Sequence, residues 1–140
     1  MMDLINLYRL AQDENITVDC FELNKREALS IIDDDGNYLI AIDPFKLISE
    51  QDEKLKLAHE LGHCMTGSFY NRWATCDMRE KHEYRADKWS VHYLLPPDKL
   101  QEALDDSCTE VWQLAERFDM TKEVVRRAVY IYQCEGLLPP

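Results

Sequence analysis

No stretch of this 140-residue chain offers the roughly 18 uninterrupted apolar residues that crossing a bilayer requires. Its opening, MMDLINLYRLAQDEN, is too acidic and too broken for a secretory signal, so the chain is expected to stay in the cytoplasm with no membrane partner. There is no C-x-x-C pair, and the five cysteines (20, 64, 76, 108 and 134) are an odd number. Both facts argue against a disulfide framework and against a cysteine-rich structural zinc site. The cysteines are expected to be reduced and mostly buried as small hydrophobic side chains. Positive charge is scarce too, with 16 Lys and Arg against 27 Asp and Glu for a net charge of −11. Residues 1–58 carry −7, residues 59–95 are neutral and residues 96–140 carry −4. Such a chain repels phosphates, which disfavours direct nucleic-acid binding and fits a protein partner, a basic one best. Repeats, low-complexity tracts and obvious linkers are also missing.

What is present is the composition of a globular protein, 46% hydrophobic and 31% charged. A chain of this length can bury about two-thirds of its unfolded surface and needs no disulfide. Leu4, Leu7, Tyr8 and Ala11 recur at helical spacing, and the alternation of Ile16, Val18 and Cys20 predicts a strand. ALSII and YLIAI flank DDDGN, the pattern of a β-hairpin. The Asp33-Asp34-Asp35 run lacks the spacing of a calcium loop and reads as a solvated turn.

From Ser49 the pattern turns helical, with Ser49 and Asp52 as a capping box and Gly67 as the stop. SFYNRWATC reads as a loop. Asp77 with Glu80 predicts a second capped helix running to Leu95, ended by Pro96-Pro97. Two or three shorter helices follow, near 97–105, 109–118 and 121–134. The predicted division is a core over 1–97 and a helical, helix-turn-helix-like extension over 98–140, packed on that core. The last predicted helix carries Arg126 and Arg127, but the acidity of this third weighs against DNA recognition.

The first predicted long helix contains His59-Glu60-Leu61-Gly62-His63. Residues four apart on a helix stand one turn up and about 40° round, so two imidazoles at that spacing can reach one ion. Glu60 sits beside the pair, where it can take a proton from a water that zinc has brought to a pKa near about 7. With 4 histidines in the chain, random placement yields roughly 0.01 such matches. Gly62 costs helix propensity by about 1 kcal/mol, and a small residue there lets another backbone or a substrate come close.

Zinc needs a third protein ligand and an open position. Thr66 stands where the longer H-E-x-x-H-x-x-G-x-x-H pattern has glycine and no third histidine follows, which excludes that version. A carboxylate from the next helix is the other solution. Glu83 is the choice, because Asp87 lies four residues on and can hold the far nitrogen of a ligand histidine. His82 is the rival, pointing about 100° away. His92, nine residues past Glu83, is expected to be structural, and Cys64 and Cys76 are expected to be core residues, not thiolate ligands.

H-E-L-G-H followed by Glu83, Ala86, Asp87, Trp89, Leu94, Leu95 and Pro96-Pro97 resembles the ImmA/IrrE family of zincin-like metallopeptidases. The resemblance runs over about residues 5–132 and is strongest over 55–97. It implies a compact, gluzincin-type α+β fold with a small antiparallel sheet, an active-site helix pair and C-terminal helices. It also implies an origin in a prophage or mobile element, and a helix-turn-helix (XRE-like) repressor as the protein acted on. By matching position, His59, His63 and Glu83 become the zinc ligands and Glu60 the catalytic carboxylate. Trp89, Ser90 and Pro96 depart from the pattern without touching those four. The transition-state donor has no motif; His82, Tyr70 and His92 are candidates, with Tyr84 and Arg85 behind them. The expected function is a zinc endopeptidase that cuts and inactivates the repressor. The alternative is a zinc-containing protein that relieves repression by binding alone. The His₂-Glu set would accept manganese as well as zinc.

Overall fold

The computed structural model describes residues 3–70 and 73–139. By its internal contacts the chain divides into two units, residues 2–90 and residues 91–140. In order, the elements are α1 (Leu4–Asp13), β1 (Thr17–Cys20), β2 (Ala28–Ile32), β3 (Tyr38–Ile42), α2 (Glu50–Thr66), α3 (Cys76–Leu94), α4 (Pro97–Asp105), α5 (Val111–Phe118) and α6 (Lys122–Cys134). The α+β class read from the sequence therefore holds.

In the first unit, α1 buries Leu7 and Ala11 one turn apart, and α2 buries Leu57, Ala58 and Leu61 completely. Ile40 and Ile42 fill the sheet's share of this core. Each such leucine or isoleucine contributes roughly 1.5–3 kcal/mol through its removal from water. The hairpin forms as expected, β2 antiparallel to β3 with Ser30 opposite Ile40. The sheet, however, is mixed and not antiparallel: its order is β1-β3-β2, with β1 parallel to β3. Residues 21–27 pass across the end of β3, tied there by the Phe21 N–H to Ile42 O at 2.9 Å and the Asp43 N–H to Glu27 O at 2.9 Å. Alternation signals that a strand exists but not which neighbour it takes.

Helix α2 starts where Ser49 Oγ accepts the Asp52 N–H at 3.0 Å. The Asp52 carboxylate accepts the Ile48 N–H at 3.1 Å, one residue before the cap, so the box closes one position early. Gly67 ends the helix in a left-handed conformation. The cap of α3 is Thr75 and not Asp77: the Thr75 hydroxyl accepts the Met78 N–H at 3.2 Å, so the helix begins at Cys76 and Asp77 is already in its first turn. The loop expected over 68–76 is seen at 68–70 and 73–75, and its Asn71-Arg72 lies outside the described residues.

In the second unit, Leu95, Leu100, Ala103, Val125, Ala128, Ile131 and Tyr132 are fully buried. The Tyr132 hydroxyl is satisfied by the carbonyls of Leu95 at 2.5 Å and Val91 at 3.1 Å. Pro97 opens α4, where its missing N–H costs nothing. Asp119 ends α5 in a left-handed conformation. The expected burial of the cysteines fails. All five thiols are free, but only Cys64 is buried, while Cys20, Cys76 and Cys134 are exposed because each sits at the end of a strand or helix.

Candidate metal centre

His59 and His63 lie one turn apart on α2, their rings 4.9 Å centre to centre and nearly perpendicular. Glu83 comes from the second turn of α3. Its carboxylate stands 2.7 Å from His59 Nε2 and 3.3 Å from His63 Nε2. One ligand atom from each of the three lies within 4.8 Å of the others, the one such cluster among the described residues. Donors around a four-coordinate zinc, with bonds of about 2.0–2.1 Å, stand about 3.3 Å apart. The set therefore fits a small divalent ion in number, chemistry and spacing.

The approach of α3 depends on Gly62. A Cβ there would lie 2.4 Å from the Ala86 carbonyl oxygen and 2.9 Å from its Cα, both inside contact distance. The glycine that weakens α2 is thus the reason a second helix can bring its carboxylates to the first.

Each imidazole is oriented from behind. His59 Nδ1 is 2.8 Å from Asp87 Oδ1, and His63 Nδ1 is 2.5 Å from the Ser68 carbonyl oxygen. An ionised carboxylate and a carbonyl can only accept, so both Nδ1 atoms carry the proton and both Nε2 atoms face the cluster. Without an ion this arrangement favours protonated histidine. Burial pulls His59 down, but the hydrogen bonds to Asp87 and Glu83 outweigh it and raise its pKa to about 10. His63 is also raised, burial again being overcome by Glu83 and the Ser68 carbonyl. Hydrogen bonds from His59 and His63 hold Glu83 far below the usual carboxylate range.

Glu60 is nearly buried and lines an open cleft together with His63, Glu83, Ser30, Phe69 and Tyr70. Its Oε1 accepts a hydrogen bond from Ser30 Oγ at 2.8 Å. The Tyr70 hydroxyl donates to Glu83 Oε1 at 2.7 Å. Burial first, then the Glu83 bond, pushes that phenol's pKa upward, so it remains a donor at neutral pH. Of the three donor candidates, Tyr70 is the one seen bonded to a cluster residue. His82 stacks on the Tyr70 ring at 6.1 Å, and its Nδ1 is buried with no hydrogen-bond partner among the described residues. His92 belongs to the second unit, where Glu135 holds its Nε2 at 3.0 Å and its ring meets Tyr132 edge-on. Burial, with Glu60 alongside, pushes the Cys64 thiol up to about 12, and Cys64 is not one of the three residues of the cluster.

The cleft's other wall is strand β2, at the edge of the sheet. The Glu27–Asp43 and Asp33–Asn37 pairs are bonded through their backbones. In an antiparallel ladder bonded pairs alternate with non-bonded ones, so Leu29 and Ile31 turn their backbone groups to β3. Ala28, Ser30 and Ile32 turn theirs to the open edge.

Sequence reasoning passed over Ser30, the Ser68 carbonyl and Arg26, which also lines the cleft beside Tyr70. A lone hydroxyl in the middle of ALSII was the available signal for Ser30. The family model of the IrrE N-terminal-like domain, peptidase family M78, matches residues 11–130. No curated protein and no solved structure matches the chain.

Proposed function

The chain belongs to the IrrE N-terminal-like family of M78 peptidases, and from that premise we propose that it is a zinc endopeptidase that cuts a helix-turn-helix repressor. The observation that carries this reading is the convergence of His59, His63 and Glu83 on one point beside Glu60, with both imidazoles held by acceptors at their outer nitrogens. A zinc ion on those three side chains would polarise a peptide carbonyl and acidify a water. Glu60 would accept a proton from the attacking water as the water oxygen bonds to the carbonyl carbon, then pass it to the departing amine nitrogen as the C–N bond breaks. Tyr70 releases Glu83 and donates to the carbonyl oxygen as negative charge grows there. An extended substrate segment lies along the open edge of β2 and pairs with its outward N–H and C=O groups.

The acidic chain favours a basic protein surface as partner. The decisive comparison is Glu60→Gln, which removes the base and leaves every ligand. Purified wild type and Glu60→Gln should each carry one divalent ion, and His63→Ala should lose it. Co-expression with a helix-turn-helix repressor from the same genetic neighbourhood, followed by mass spectrometry, should give fragments with wild type and none with Glu60→Gln. Full relief of repression by Glu60→Gln would instead establish action by binding alone.

A further inference from the structure

We propose that Ser30 is the positioning residue of Glu60, an inference that rests on the peptidase reading. The hydroxyl reaches Glu60 from a different element, thirty residues away in sequence, at 2.8 Å. A glutamate has three side-chain torsions to fix, and its rotamer freedom is worth roughly 1.5–2 kcal/mol. A general base must nevertheless present one oxygen to a single spot for proton transfer to compete. The Ser30 bond holds Oε1 and thereby sets the plane in which Oε2 lies.

The placement of Ser30 on β2 gives the bond a second consequence. Leu29 and Ile31, its neighbours, are anchored to Ala41 and Leu39 of β3. Ser30 itself turns its backbone groups to the open edge that borders the cleft. One residue therefore faces the path of an extended peptide with its main chain and grips the base with its side chain. Its contribution belongs to the chemical step and not to metal loading, because its hydroxyl is spent on Glu60, which is not one of the three cluster residues.

The test uses the zinc-loaded full chain and a proteome-derived peptide library read by mass spectrometry, with kcat and KM taken on a quenched-fluorescent copy of the best-cut peptide. Ser30→Ala should lower kcat by roughly 10- to 100-fold, the worth of a hydrogen bond to a charged group. KM and zinc content should stay at wild-type values. Ser30→Thr, which keeps the hydroxyl and suits a strand, should recover most of the rate. A loss expressed in KM or in zinc content, or no rescue by threonine, overturns the proposal. If wild type cuts no peptide, the peptidase reading falls on its own. Ser30 is then judged in the zinc-free chain by urea unfolding of Ser30→Ala, Glu60→Ala and their double variant. Losses smaller together than their sum uphold the coupling, and additive losses overturn it.

Discussion

Replacing Gly62 with alanine sets two physical effects against each other. Helix propensity alone predicts a gain of about 1 kcal/mol from removing a glycine inside a helix. The added Cβ, however, would meet the Ala86 carbonyl oxygen at 2.4 Å and Ala86 Cα at 2.9 Å. Those are backbone atoms that cannot rotate aside, so α3 must retreat by about 1 Å to restore van der Waals separation. Overpacking of this kind costs up to about 3 kcal/mol, leaving a net loss of about 2 kcal/mol. The functional effect is larger than the stability effect, because ligand distances tolerate only about 0.2 Å. The retreat draws Glu83 off the cluster and Asp87 off His59 together, and zinc affinity should fall at least about tenfold. Urea unfolding of the metal-free chain and zinc competition against a chromophoric chelator measure the two effects separately. Gly36→Ala is the control: Gly36 has φ +83° and open space around it, so the variant should lose about 1 kcal/mol and keep its zinc. A Gly62→Ala protein that is more stable than wild type and binds zinc unchanged would refute the close-approach argument.

Tyr70→Phe removes a donor but no ligand, so kcat should fall by about 10²-fold while zinc content stays at one ion, as measured on the same fluorogenic peptide. Equal rates would mean that the oxyanion is stabilised by another group. The metal-free chain should lose stability as pH rises from about 6.5 towards about 10, because His59 keeps its favourable proton up to a folded pKa of about 10 and gives it up thereafter. Unfolding midpoints across that range test the sign. Zinc must displace this proton, so affinity should climb with pH over the same window, and calorimetry in two buffers of different ionisation enthalpy should detect proton release at pH 7.

The parts of this site that rest on helical periodicity could be read from residues alone. His59 and His63 are four apart, as are Glu83 and Asp87, and a helix converts that spacing into a shared face without help from the rest of the fold. The small residue at position 62 could also be read as a place for close approach, although not which backbone would fill it. The contacts that escaped are those set by tertiary structure. Ser30 meets Glu60 because the edge of the sheet lies along α2, and nothing local in ALSII encodes that. Ser68 acts through its carbonyl oxygen, which every residue possesses. The parallel pairing of β1 escaped for the same reason, since a strand's alternation names its faces but not its partner. Thr75 displaced Asp77 as the cap because both are good caps and only the path of the preceding loop decides between them.

Protonation describes how these side chains would pair when no ion is bound. With His63 buried and His59 and Glu83 partly exposed, neutral histidines beside an unpaired glutamate would carry a partial desolvation cost. The proton on His59 converts that cost into an ion pair with Glu83 at 2.7 Å, and His63 adds a second contact at 3.3 Å. The proton thus occupies the chemical role that a cation would take, and the acceptors behind the rings, Asp87 and the Ser68 carbonyl, suit either occupant. Exchange needs only a small opening of the His59–Glu83 contact, from 2.7 Å to the roughly 3.3 Å separation of zinc ligands. Zinc affinity at such a site would be set in part by competition with the protons that its imidazoles hold.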